Sequence, residues 1–193
     1  RRGYGQLCRL ITQARRAAPK GQYRLGRPDF ACGLPDCLAL WLPEQVPDET
    51  HGRWLASVFP GRLWIAVELL TTGQDRRRLA RLQGLGEQLG LPLVAAGDVH
   101  MHARSRRALQ DVLTATRHVT TVDRAGYALH ANGERHLRPL QRLEELHPPE
   151  LMAATLDIAV RCAFSLDELR YEYPREIVPE GETATSWLGR LTE

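Results

Sequence analysis

Apolar positions along the chain change rhythm in a regular order. From Tyr4 to about Ala18, Leu7, Leu10, Ile11 and Ala14 recur at helical spacing with Arg9, Arg15 and Arg16 between them, which predicts an amphipathic helix. Pro19, Gly21, Gly26 and Pro28 then impose a loop. Three short apolar runs follow and read as buried strands: Cys37 to Leu42, stopped by Pro43; Leu63 to Leu70; and a run from Leu91 that ends at Gly97. Between the first two, Asp48 is placed to cap a helix carrying Trp54, Leu55 and Val58, closed by Pro60-Gly61. Between the second and third, Thr72-Gly-Gln-Asp75 opens a helix whose Leu79, Leu82, Leu85 and Leu89 form one stripe, with Gly90 as its C-cap. Its Arg76, Arg77, Arg78 and Arg81 fall mostly on the other faces and read as a solvated surface, with phosphate contact as the alternative. Strands recurring about every 27 residues with helices between them predict an α/β fold built of βα units, in a parallel sheet or barrel.

Beyond the third strand, Ser105 is a candidate cap for a helix carrying Leu109, Val112 and Leu113, with Arg107 and Asp111 as a pair four apart. Pro148-Pro149 precedes a helix with Leu151, Ala154, Thr155, Ile158, Ala159 and Cys162 at helical spacing. After Phe164 the texture changes. Tyr171-Glu-Tyr-Pro174 and Ile177-Val-Pro-Glu-Gly181 read as a proline-punctuated linker, and Thr185-Ser-Trp-Leu188 as the start of another helix. A boundary near residue 165 is expected, dividing the chain into 1–165 and 166–193.

Composition narrows the class. With 193 residues, 43% hydrophobic and 25% charged, the chain has material for a sizeable core. No apolar run approaches the length of a membrane span, and the first residues do not lead into a signal peptide, so the cytoplasm is the expected compartment. A chain that opens in a helix without an initiator methionine is expected to continue upstream. The net charge of +3 decides little about nucleic acid. The positive charge is nearly all arginine, Lys20 being the only lysine. Cys8, Cys32, Cys37 and Cys162 lack zinc-finger spacing and are expected to be free thiols.

The strongest chemical signal is Leu91-Pro-Leu-Val-Ala-Ala-Gly-Asp-Val-His-Met-His102. A buried parallel strand ending in Asp98 and His100 delivers two ligand-type side chains, two residues apart and hence on one face, to a sheet's carboxyl end. The same residues serve equally as a helix-capping Asp98 and a packed, hydrogen-bonded His100. Glu68, near the end of the second strand, is a further rim candidate. His118, His130, His136 and His147 lack ligand spacing and read as ordinary surface histidines.

Several ordered motifs carry a resemblance. Arg2-Gly-Tyr-Gly-Gln-Leu-Cys-Arg-Leu-Ile11, the Leu91–His102 stretch, Leu109-Gln-Asp-Val-Leu113, Ala154-Thr-Leu-Asp-Ile-Ala-Val-Arg-Cys162 and Val178-Pro-Glu-Gly181 resemble, in this order, bacterial family-C DNA polymerases. Gly97-Asp-Val-His-Met-His102 and Trp64-Ile-Ala-Val-Glu-Leu69 favour that family's error-prone branch, relatives of the polymerase III alpha subunit used in damage-induced synthesis.

The resemblance implies the later part of a PHP (polymerase and histidinol phosphatase) domain, an incomplete distorted α/β barrel running to about 165, followed by the start of the polymerase module. It implies a cluster of histidines and carboxylates able to hold several metal ions, with Asp98 and His100 matching as ligands for zinc, manganese or iron. It also implies magnesium-dependent nucleotide addition to a primer 3′ end in a module beyond Glu193, with DNA, deoxynucleoside triphosphates, a sliding clamp and damage-response accessory proteins as partners. Two features depart from the family pattern. Its early histidine motifs would lie upstream of Arg1, and the histidine expected just after the strand glutamate is replaced by Leu69, Leu70, Thr71 and Thr72, so the metal site is expected to be vestigial. A free-standing PHP phosphoesterase and a catalytically silent interaction module for replication proteins are the alternative readings.

Overall fold

The computed structural model describes residues 1–169 and 178–192. It divides into two compact units, Arg2–Ala163 and Phe164–Glu193, the latter together with Arg1. The Tyr171–Pro174 part of the expected linker lies outside the described residues.

In the larger unit, α1 (Arg2–Arg16) precedes a parallel three-stranded sheet in the order β1-β2-β3, with β1 Ala39–Trp41, β2 Leu63–Glu68 and β3 Leu93–Ala96. Helices α2 (Glu49–Val58) and α3 (Asp75–Leu89) connect the strands, and α4 (Arg107–Arg117), α5 (Leu140–Leu146) and α6 (Pro149–Arg161) follow. With α7 (Ala184–Thr192) in the smaller unit, the described residues hold seven α-helices. The α/β expectation therefore holds as a mixed fold with a small parallel sheet.

The central strand explains the architecture. Leu63 to Val67 are all buried, as a strand covered on both faces requires. Leu63, Ile65, Val67 and the following Leu69 pack with Trp41, Phe59, Leu82 and Leu85. Trp64 and Ala66 pack on the opposite face with Val94, against Ala154 and Ile158 of α6. The Leu79–Leu89 stripe thus faces the sheet as its spacing predicts. Close approach fixes two glycines. A Cβ on Gly52 would stand 2.6 Å from the Trp41 ring, and one on Gly86 would stand 2.8 Å from the Leu91 carbonyl oxygen.

Caps follow chemistry at two helix ends and not at a third. Asp48 accepts hydrogen bonds from the amides of Thr50 (2.9 Å) and His51 (3.2 Å), as its position predicts. Gly90 takes the left-handed conformation, φ 65°, at the end of α3. Ser105, by contrast, caps nothing: it lies inside a 3-10 turn, Arg104–Arg106, and α4 begins after it at Arg107. Leu109, Val112 and Leu113 do recur at helical spacing, yet each is about half exposed.

All four cysteines are free thiols. No described helix is long and apolar enough to cross a membrane. In the smaller unit, the Ser165 hydroxyl accepts from the Asp167 amide (3.2 Å) and the Ser165 amide donates to Glu168 (2.9 Å), a reciprocal cap on a single turn. Thr183 caps α7 by accepting from the Ser186 amide at 3.1 Å.

Candidate functional site

The carboxyl ends of β2 and β3 are where a parallel sheet presents side chains to ligands. Both chain segments leave the sheet through residues in the left-handed region, Thr71 (φ 54°) after β2 and Asp98 (φ 43°) after β3. Aspartate tolerates that conformation; threonine, being β-branched, does so at some cost in strain.

A later segment, residues 132–138, closes over these ends. Arg135 accepts through its carbonyl from the amides of His100 (2.9 Å) and Met101 (3.2 Å), and the Leu137 amide donates to the Met101 carbonyl at 3.1 Å. Asn132 Nδ2 donates to the Leu70 carbonyl at 2.6 Å, and the buried Arg138 donates through Nη1 to the Leu69 carbonyl at 2.8 Å. Backbone groups that the strands leave open are thereby satisfied by side chains more than sixty residues away.

This closure decides the environment of the sequence-predicted pair. Asp98 and His100 are brought together, His100 Nε2 lying 3.1 Å from Asp98 Oδ1. A carboxylate only accepts, so that contact places a proton on Nε2 and removes this nitrogen as a ligand in this arrangement. The other Asp98 oxygen, Oδ2, is ion-paired with Arg135. His130 lies beside the pair, its ring centroid 4.9 Å from that of His100. Burial, and next the charge of His100, push the His130 pKa below its ordinary value.

The donors present do not by themselves fit a metal centre. Among the described residues no group of three or more histidine, cysteine, aspartate or glutamate side chains could hold an ion. A site of this ligand type takes at least three protein donors. Glu68 does not join the Asp98–His100 pair; it lines a neighbouring cavity of about 370 Å³ over the end of β2, with Thr72, Asp75, Arg78, Arg81 and Arg135.

Among the described residues, sequence reasoning missed three buried polar ones, Glu134, Arg138 and His147, of which the last two carry atoms without a hydrogen-bond partner. His147, expected at the surface, is 3% exposed, and neither ring nitrogen has a hydrogen-bond partner. Burial and the nearby Arg138 charge push its pKa down, so it is held neutral. Arg138 is 7% exposed and its Nη2 is unpartnered; desolvation lowers its pKa too, against the opposing pull of Glu134. His136 is also engaged, donating from Nδ1 to the Gly133 carbonyl at 2.8 Å, while His118 is exposed as expected. The Asn132-Gly133 dipeptide marks a turn in the sequence, but nothing local reveals that the turn returns Arg135 to Asp98.

The geometry defines an α/β body with a ligand-type rim at the carboxyl ends of its strands, and comparison with known proteins makes this specific. The chain is 61% identical over 198 aligned residues to an error-prone DNA polymerase of Dechloromonas aromatica, covering 100% of this chain and 19% of that protein. It is 58% identical to an error-prone DNA polymerase of Methylococcus capsulatus, over 100% of this chain and 18% of that protein. A third, from Pseudomonas savastanoi pv. phaseolicola, is 56% identical over 99% of this chain and 19% of its own length. No family model matches the chain. The chain belongs to the family of error-prone DNA polymerases, and it spans about a fifth of the length of the curated relatives it matches.

Proposed function

We propose that the chain is a segment of an error-prone DNA-directed DNA polymerase of the bacterial family-C type, which adds nucleotides to a primer 3′ end during damage-induced synthesis. The observation that carries this reading is identity of 56–61% across essentially the whole chain to three proteins of that name. The complete protein takes DNA and deoxynucleoside triphosphates, works in the cytoplasm, and engages a sliding clamp and damage-response accessory proteins.

In this reading the segment is the platform on which the polymerase module is built. Its three parallel strands belong to a PHP-type distorted barrel, with the domain boundary near 165 and the polymerase module beginning in residues 166–193. The divalent ions of nucleotidyl transfer, magnesium in such a polymerase, would be held by carboxylates elsewhere in the complete protein and would supply activation of the primer 3′ hydroxyl and charge stabilisation of the departing pyrophosphate. Asp98 and His100 remain the candidate ligands of a vestigial metal site. For them to bind zinc or manganese, Arg135 would have to release Asp98 and further donors would have to come from outside the described residues.

Primer extension by the complete protein tests the proposal. With magnesium and four deoxynucleoside triphosphates, the folded protein is expected to extend a primer and to misincorporate at undamaged and damaged template positions. A folded complete protein that extends no primer but hydrolyses a phosphomonoester would overturn it in favour of a phosphoesterase.

A further inference from the structure

Arg77, Arg78 and Arg81 of α3 and Arg135 of the rim segment line one cavity of about 370 Å³ over the end of β2. Arg78 donates through Nη2 to the Pro43 carbonyl at 3.0 Å, and Arg81 through Nη1 to the Gln45 carbonyl. Both are therefore held by neutral partners, and neither is ion-paired with a carboxylate among the described residues. A guanidinium has five N–H donors, so each keeps several for a ligand. Arg77 makes no hydrogen bond or ion pair among the described residues and is exposed.

The same cavity holds three carboxylates. Asp75 is already engaged, accepting from the amides of Thr71 (2.7 Å) and Thr72 (3.4 Å) and from the Thr72 hydroxyl (3.2 Å). Glu44 and Glu68 line the cavity without an ion pair among the described residues. A bare anion would meet the arginines and be repelled by Glu68. A ligand with a phosphate at one end and hydroxyl or amino donors at the other satisfies both sets. Arginine is matched to the first by its planar bidentate fork, and a carboxylate to the second as an acceptor. The volume is in the usual range for small-molecule sites, roughly 300–1,000 Å³.

We propose that this cavity binds a phosphate group carried by a small hydroxyl- or amino-bearing molecule, of which a nucleoside monophosphate is the simplest instance, with Arg77, Arg78 and Arg81 facing the phosphate, Arg135 staying with Asp98, and Glu44 and Glu68 facing the donors. The proposal is independent of whether the complete protein transfers nucleotides. The site lies in the α/β body and needs no metal.

Calorimetric titration of the complete protein tests it, in buffer containing EDTA so that metal-dependent nucleotide binding elsewhere is silent. Thymidine monophosphate is expected to bind, and more tightly than inorganic phosphate. Arg77→Ala, which removes no hydrogen bond or ion pair among the described residues, weakens binding of the nucleotide about tenfold, the scale of a lost charge-assisted contact. The double variant Arg78→Ala/Arg81→Ala abolishes it. Glu68→Gln tightens inorganic phosphate by removing a repulsive charge, and Arg76→Ala, on the same helix but outside the cavity, changes nothing. If the double variant fails to fold, as circular dichroism would show, Arg77→Ala decides. Displacement of the nucleotide by a 5′-phosphorylated oligothymidine identifies the ligand as the end of a DNA strand; absence of displacement identifies it as a free nucleotide, and either result supports the site. Unchanged affinity in Arg77→Ala, or an equal loss in Arg76→Ala, overturns it.

Discussion

The sheet and its rim are built on opposite principles. Ile65 and Val67, at the centre of β2, are 0% exposed and lie among apolar neighbours. A few residues further on, the chain leaves that strand into an environment of Arg138, Asn132, Arg135 and Asp75, where backbone carbonyls are satisfied by distant side chains. Hydrophobic burial holds the first region and is indifferent to detail beyond shape and volume. Directional, charge-assisted contacts hold the second, so single atoms matter there. A protein that carries its ligand chemistry on such a rim can change that chemistry without disturbing the sheet.

Four substitutions in the complete protein sharpen this contrast. The largest effect is expected from Ile65→Ala, which opens a void at the most enclosed point of the sheet. Unfolding in urea should show a loss of about 2–5 kcal/mol. If the loss were under about 1 kcal/mol, the sheet would not be the element that the body depends on. Arg138→Ala comes next, with an expected loss of about 1.5–3 kcal/mol for a hydrogen bond from a charged donor. Because the Arg138 charge helps depress His147, the same variant should move the His147 titration up towards its ordinary value, as followed by NMR. A His147 titration that stays put would separate the two residues.

Asn132→Ala removes the bond to the Leu70 carbonyl, and about 1 kcal/mol is expected. The loss should be local, so amide exchange at Glu134, whose amide is held by the Asn132 side chain at 3.0 Å, should accelerate while exchange in β2 does not. Uniform acceleration would mean that rim and sheet open together. The smallest effect is a slope. The folded pKa of His147 lies below that of the unfolded chain, about 6.5, so the unfolded state takes up the proton more readily. Stability should therefore fall as pH drops below about 6.5, and His147 should add no pH dependence above it. His147→Phe should flatten part of that slope, leaving the part due to His130, whose pKa is also depressed by burial and by His100. An unchanged slope would mean that His147 is not held neutral.

The two regions also differ in how far the sequence discloses them. Strand and helix positions in residues 37–96 follow from local apolar period, and Asp48 and Gly90 mark their helix ends through chemistry contained within a few residues. Strand ends are legible only to within two residues, since Leu69 and Leu70 are as apolar as the strand but leave it once Thr71 turns. At the rim, the sequence expects Asp98 and His100 to share a face of an extended run; the two do meet, but β3 ends at Ala96 and Asp98 turns into the left-handed region, so the pair forms beyond the strand and not along it. Arg135 is not legible, because its partner is chosen by parallel pairing of residues 135–137 with 100–101, a contact without a local signature. His147 fails for a related reason. It is buried within reach of the Arg138 charge, and nothing in the residues beside it in sequence marks that burial. Ser105 illustrates the reverse error: a good capping residue is displaced by a 3-10 turn that moves the helix start past it.

The most direct test of the platform account is primer extension by the complete protein carrying Asp98→Ala and His100→Ala together, beside wild type and Ile65→Ala. Nucleotide addition should persist in the double variant at close to the wild-type rate and should be lost in Ile65→Ala in step with its unfolding. Abolished extension in a double variant that is folded and binds DNA would contradict the account, because it would make the rim part of the reaction and not the platform beneath it.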